Sequence, residues 1–116
     1  MAIDKSSLTG NTTMLILKLL EERDMYGYQM IEELARRSDN TFALKAGTLY
    51  PLLHHLEQQG MLSSYESSAD SAKVRKYYCI SCQGRRLLAA KKSEWQTYAA
   101  AVNQVLQGGV SLGTAY

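Results

Sequence analysis

Residues 44–60, "LKAGTLYPLLHHLEQQG", decide how the rest of the chain is read. Leu49, Leu52, Leu53 and Leu56 recur at i, i+3, i+4 and i+7, the spacing of one helix face, yet the chain's only proline, Pro51, stands among them. A proline is tolerated near a helix start, where backbone N–H groups have few intrahelical partners and a missing donor costs little. The pattern therefore predicts a helix beginning near Ala46 to Thr48, with Pro51 in or just after its first turn and Gly60 as the glycine that ends it. With the leucines inside, Lys45, Thr48, Pro51, His54, His55 and Gln58 fall on or near the outer face. The helix N-terminus then points outward, and its N–H groups and dipole favour phosphate. Gly47 allows close approach to a partner's backbone, while Lys45, Thr48 and Tyr50 offer a cation and two hydroxyls.

Upstream, a helix is expected over about Asn11 to Glu22, after a Thr9-Gly10-Asn11-Thr12 stretch rich in capping residues. Its run of Met14, Leu15, Ile16, Leu17, Leu19 and Leu20 is apolar nearly all round, which implies burial on most sides. "ERDMYGY" breaks that pattern. A second helix fits about Tyr26 to Arg37, with Gly27, Met30, Ile31, Leu34 and Ala35 on one face, and "RRSDNTF" ends it in turn-forming residues.

Downstream of Gly60 the period changes from 3.6 to 2. "MLSSYES" and "VRKYYCIS" read as two strands, with "SADSAK" as a polar hairpin loop between them. Two strands alone are marginal, so they must pack beside the helices. From about Cys82 a long helix runs to about Gln107 with Ser81 as its N-cap, and "GGVSLGTAY" closes the chain as an expected flexible tail.

A chain of 116 residues with 46% hydrophobic and 21% charged content supports one compact core and is too short for two ordinary domains. No run approaches the roughly 18 apolar residues that span a bilayer, and "MAIDKSSLTGN" lacks the apolar segment of a signal peptide, so a cytoplasmic protein without membrane association is expected. The net charge of +2 says little about partners. Its distribution says more: Lys73, Arg75, Lys76, Arg85, Arg86, Lys91 and Lys92 follow one another with no acid between, more than half of the 13 Lys and Arg in the chain.

Catalytic and metal-binding patterns are missing from the sequence. His54 and His55 are adjacent, so a helix points them about 100° apart and they cannot chelate one ion together. "CISC" has the C-x2-C spacing of zinc and redox sites, but there is no second cysteine pair and Cys79 falls in a strand; plain thiols are expected. "GGVSLG" lacks the following helix and lysine of a phosphate loop. No cofactor and no enzymatic activity are expected.

Helix, helix, helix, hairpin, helix is the order of a mainly α (α+β) winged helix-turn-helix with a C-terminal extension: residues 1–81 as the DNA-binding unit, 82–107 as a dimerisation helix and 108–116 as the tail. "YGYQMIEEL", "LKAGTLYPLLHHLEQQG", "KYYCISCQG" and the later "EW" followed by "AVNQVL" resemble the PadR family of bacterial transcriptional regulators over roughly residues 10 to 107. Ending in one long helix, the chain is similar to the short subfamily. The resemblance implies a homodimeric repressor that places the third helix in the major groove of double-stranded DNA, the hairpin wing beside the minor groove and the last helix in the dimer interface. It also implies that effectors, where they exist, are often small aromatic or phenolic molecules. Position by position, Thr48 and Tyr50 match family residues at the DNA backbone, and Lys73, Arg75 and Lys76 match the basic wing. At His55 the chain departs from the family, which often has Arg there.

The residues support that implication independently. A basic hairpin beside an outward helix N-terminus is the electrostatic footprint that DNA binding needs. A winged fold that bound protein instead would show a more apolar outer face than Lys, Thr, Tyr and His provide. On the last helix, Trp95, Tyr98, Val102 and Val105 step by 3, 4 and 3 as a heptad seam, with Leu106 beside it. A helix of about 26 residues spans roughly 39 Å, longer than so small a domain can cover, so part of the seam is expected to meet a second subunit. Two Trp95 indoles facing each other across the axis would form a slot for a planar aromatic effector.

Overall fold

The computed structural model describes residues 5–69 and 72–108, of which 5–10 are described as backbone only. Four helices and three short strands follow in the order α1 (Lys5–Glu22), β1 (Met25–Tyr26), α2 (Gly27–Arg37), α3 (Ala46–Gln58), β2 (Leu62–Ser67), β3 (Arg75–Ile80) and α4 (Cys82–Gln107). The architecture is the mainly helical winged form that the sequence implied.

The core is a single cluster. Ile16, Leu17, Leu19 and Leu20 from α1 meet Met25, Met30 and Leu34, then Leu49, Leu53 and Leu56 from α3, Leu62 and Tyr78 from the strands and Leu88 from α4. Each buried Leu or Ile is worth about 1.5–3 kcal/mol relative to exposure, so α3 is held mainly by its leucine face. Leu52, the fourth leucine of that helix, is half-buried and packs against the cluster.

α3 stops because Gly60 takes φ +80 and the chain turns on it: Gly60 N–H donates to the Glu57 carbonyl (3.0 Å) and Met61 N–H to the Leu56 carbonyl (2.9 Å). That pair of bonds is the Schellman closure, in which the left-handed residue is almost always glycine. α4 begins where Ser81 caps it: the Ser81 hydroxyl accepts from Gly84 N–H (3.0 Å) and lies 2.6 Å from the Gly60 carbonyl, so one side chain joins the end of α3 to the start of α4.

The sheet runs in the order β1-β3-β2, antiparallel throughout. Its alternation is imperfect in one informative place. Tyr77 and Tyr78 are adjacent in β3 and both buried. Tyr78 belongs to the core, whereas Tyr77 lies on the opposite face beneath two other tyrosines: Tyr65 stacks on it (5.7 Å, 11°) and Tyr26 meets it edge-on (5.4 Å, 83°).

Two expectations change. α1 begins at Lys5 rather than near Asn11, so Thr9, Gly10, Asn11 and Thr12 lie within the helix and do not cap it. The break at "ERDMYGY" is not plain loop: Met25 and Tyr26 form β1, paired with Tyr78 and Tyr77. A strand of two residues carries no period of its own and depends on a partner about 50 residues away in sequence, which no local pattern reveals. Within the hairpin loop, residues 70 and 71 lie outside the described residues, as does the expected tail from residue 109 onward.

Candidate nucleic-acid interface

α3 presents the outer face foreseen for it. Lys45, Gly47, Thr48, Tyr50, Pro51, His54, His55 and Gln58 are all exposed while Leu49, Leu53 and Leu56 are buried. Lys45 is the N-cap in extended conformation and makes no side-chain capping bond, so the first N–H groups of the helix have no side-chain acceptor from that residue. Pro51 is the sixth helical residue, just after the first turn. The donor it lacks would have served the carbonyl of Gly47, an exposed residue with nothing within 4 Å of where a Cβ would stand.

Tyr50 leans off α3 toward the start of α2. Its ring lies directly on Gly27, the first residue of α2, where any side chain would collide with the ring. Tyr50 is nevertheless 47% exposed and Tyr28 beside it 54%. Opposite them stands the wing. Tyr26, Gly27, Tyr28 and Tyr50 on one side and Lys73, Val74, Arg75, Lys76 and Tyr78 on the other enclose an open notch of about 490 Å³. The notch joins the N-terminus of α2, the hydroxyl end of Tyr50 and three cations in one concave surface, an arrangement of N–H donors, hydroxyls and positive charge that suits an anionic backbone.

Two of the wing cations, Lys76 and Arg75, are held differently. Lys76 Nζ lies 3.7 Å from Glu57 Oε1 on α3 and 5.4 Å from the centre of the Tyr78 ring, so its charge is partly matched within the chain. Arg75 places its guanidinium 4.3 Å from the centre of the Tyr26 ring.

Of the residues singled out from sequence, Tyr50, Lys73, Arg75 and Lys76 come together at the notch. Lys45, Gly47, Thr48, Pro51 and His54 form a neighbouring exposed surface along α3; Lys45 and Thr48 also border a second hollow, of about 350 Å³, with Thr12, Leu34 and Phe42. Tyr26, Gly27 and Tyr28 were not foreseen as part of the site. Tyr28 was findable: it is an aromatic residue out of phase with the Met30, Ile31 and Leu34 stripe, hence outward.

The seam on α4 is exposed from end to end. Trp95 (45%), Tyr98, Val102, Val105 (78%) and Leu106 all face solvent, and the Trp95 and Tyr98 rings stand 6.0 Å apart at 36°. Five large apolar side chains in a row on one helix make a contiguous patch of the kind that soluble proteins cover. Cys79, half-buried, and Cys82, exposed, are free thiols, and the Ser63 hydroxyl lies 2.9 Å from Cys79 Sγ. Among the described residues no group of three or more His, Cys, Asp and Glu could hold a metal ion, and no helix is long and apolar enough to cross a membrane.

Residues 16–90, from the heart of α1 through the notch to the third turn of α4, match the model of the PadR-like transcriptional regulator family. A transcriptional regulator of Mycobacterium tuberculosis is 33% identical over 73 residues, 63% of this chain and 64% of that protein. Among solved structures, a PadR family transcription regulator from Clostridium difficile is 36% identical with a TM-score of 0.69, covering 81% of this chain and 96% of that one. A transcriptional regulator from Clostridium thermocellum is 29% identical with a TM-score of 0.79, covering 89% and 97%. With the family model spanning well over half of its length, the chain belongs to the PadR-like family of transcriptional regulators.

Proposed function

We propose that this regulator binds operator DNA as a homodimer, with α3 in the major groove and the β2–β3 wing beside the minor groove, and acts as a repressor. The observation that carries the reading is the notch: Tyr28, Tyr50, the α2 N-terminus and the wing cations converge next to the outward face of α3. In this arrangement the notch grips phosphates and fixes the register, Thr48 at the start of α3 reaches both the backbone and the adjoining base edges, and His54 reaches base edges and helps choose the sequence. Dimerisation follows from the α4 seam. A second copy is the partner that the Trp95–Leu106 patch fits, because a heptad seam packs best against another of the same kind. The two recognition helices then read a palindromic site with half-sites about 10 bp apart or a multiple of it.

Trp95 and Tyr98 offer exposed rings on that seam. Across the dimer axis they form the seat for a small planar aromatic effector, which releases DNA only as far as it binds one dimer geometry better than the other.

Selection of genomic duplexes by the purified protein, followed by shift assays between low and physiological salt, tests the reading. A steep fall of affinity with salt and a strong preference for a two-fold symmetric sequence are expected. Flat salt dependence, or no preference over random duplex, refutes it. Titrating phenolic acids and planar dyes against Trp95 emission, with Trp95→Ala as control, tests the effector seat; a panel that neither changes emission nor releases DNA removes it.

A further inference from the structure

The outer face of the sheet carries a row of side chains that the hydrophobic core does not include. Tyr26, Tyr77 and Tyr65 are direct cross-strand partners across β1, β3 and β2. Their rings are in contact in sequence, Tyr65 stacked on Tyr77 and Tyr77 edge-on to Tyr26. Both ends of the row are tied. At one end the Tyr65 hydroxyl donates to Asp24 Oδ2 (2.7 Å) in the α1–β1 connection. At the other end Tyr26 donates its backbone N–H to Gln29 Oε1 (3.1 Å), and its ring lies under the Arg75 guanidinium.

We propose that Tyr26 is a positioning residue for DNA binding: the Tyr65–Tyr77–Tyr26 row holds the Arg75 guanidinium at the rim of the notch, ready for a phosphate. The inference deepens the reading of the notch as a DNA site and rests on it. Its physical basis is a difference between two ways of holding a cation. A carboxylate orients a guanidinium but cancels its charge, as Glu57 does in part for Lys76. A ring orients it and leaves the charge in place. Among the described residues Arg75 forms no ion pair, so its positive charge remains available to a ligand. An arginine that is already stacked has surrendered most of its rotamer freedom before it meets the phosphate, and the association loses less by ordering it. The row also explains why Tyr77 is buried on a face that the core does not reach.

The experiment compares wild type with Tyr26→Leu, Tyr26→Phe, Arg75→Ala and the Tyr26→Leu/Arg75→Ala double variant, measuring affinity for the selected duplex over a salt series. Tyr26→Leu should weaken binding about two- to fivefold, the equilibrium effect of one exposed cation–π contact. It should also flatten the log K against log salt slope toward that of Arg75→Ala, a change of about one phosphate contact. Tyr26→Phe keeps the ring and should keep the slope. The double variant should bind no worse than Arg75→Ala alone, because both changes remove one device. Tyr65→Phe retains every ring but releases the Asp24 end; it gives the same signature more weakly and serves if Tyr26→Leu does not fold. Additive losses in the double variant, or a weaker Tyr26→Leu with an unchanged slope, overturn the inference and leave Tyr26 a structural residue. If Arg75→Ala has no effect while Lys76→Ala and Thr48→Ala weaken binding, the inference falls and the DNA reading stands. If none of the three matters, the DNA reading falls and takes the inference with it.

Discussion

Replacing Gly27 by Ala separates the site from the scaffold. The added carbon would stand 2.6 Å from Tyr50 Cζ and 2.9 Å from Cε1, and closer still to the hydroxyl, well inside ordinary contact. Something must move, and the Tyr50 ring is the part that can, because it is 47% exposed and borders an open notch. Swinging it aside costs about 0.5–1.5 kcal/mol in rotamer strain. Alanine's helix preference over glycine returns up to about 1 kcal/mol, less at a first-turn position. Net stability should therefore change by less than about 1 kcal/mol, a shift of a few degrees in Tm at fixed protein concentration. DNA binding should respond far more. A hydroxyl bonded to a charged group is worth about 1.5–3 kcal/mol, so losing the Tyr50 contact weakens affinity roughly tenfold or more. Circular dichroism gives the Tm, and fluorescence anisotropy with a labelled selected duplex gives the affinity. Tyr50→Phe, which deletes only the hydroxyl, should reproduce most of the loss, and the two changes together should not add. Affinity within twofold of wild type, with Tm unchanged, would show that the hydroxyl does not reach DNA; a large fall in Tm would show that the ring cannot move.

Gly84→Ala makes the opposite case, since its Cβ would stand 2.7 Å from Ile80 Cγ1 and closer to the Met61 carbonyl oxygen, backbone that cannot swing aside. About 1–3 kcal/mol of overpacking should lower Tm clearly, and an unchanged Tm would mean the α3–α4 junction is looser than its geometry. Ser81→Ala removes the α4 cap and the hydroxyl beside the Gly60 carbonyl; a loss of about 0.5–2 kcal/mol in urea unfolding is expected, and none would deny the cap its role. Glu33 accepts from Arg36 and Arg37, which hold its carboxyl down to about 2, and Arg37 reaches across to Glu22 on α1, lowering that carboxyl too. A depressed carboxylate stabilises above its ordinary range near 4.5 and loses that contribution as the pH falls toward 2, so urea midpoints should drop over this window and drop less in Arg37→Ala. Equal acid sensitivity in the two proteins would exclude the cluster as the cause.

What could be read from the residues alone was whatever repeats locally. α3 and α4 announce themselves through leucine spacing, Gly60, Ser81 and a glycine after Gln107, and the described ends match those signals. The α1 start departs from its local signal because Thr, Gly and Asn favour caps in isolation; here they continue a helix whose later turns are held by the core, and packing outweighs a cost of up to about 1 kcal/mol per residue. The notch was half legible. Tyr50 and the wing cations stand out by type, but their convergence with Tyr26 and Tyr28 depends on β1 pairing with β3, and that pairing is a contact between distant parts of the chain. Tyr77 was hidden for the same reason: a residue buried by its cross-strand neighbours looks, in one strand, like a break in alternation.

The junction between α3 and α4 connects the two halves of the proposed function. Gly60 closes α3 through its left-handed turn, Ser81 N–H and hydroxyl bind the carbonyls of that turn, and Gly84 lets the first turn of α4 sit against the Met61 carbonyl. The contacts are backbone against backbone or run through the short Ser81 side chain, and the Gln83 side chain of α4 also lies against Gly60. Close-packed groups of this kind transmit a shift rather than damp it. By this reasoning a change in the inclination of α4 would carry α3 with it. The wing is joined to the same body differently: β3 leads directly into Ser81, the Asp24–Tyr65 bond ties it to the α1–β1 connection, and the tyrosine row ties it to the start of α2. In the proposed dimer, α3, the notch and the wing would thus move as a unit against the second copy. A ligand on the α4 seam of that proposed dimer would then act on DNA without touching it, by altering the spacing of two rigid readers rather than the shape of either.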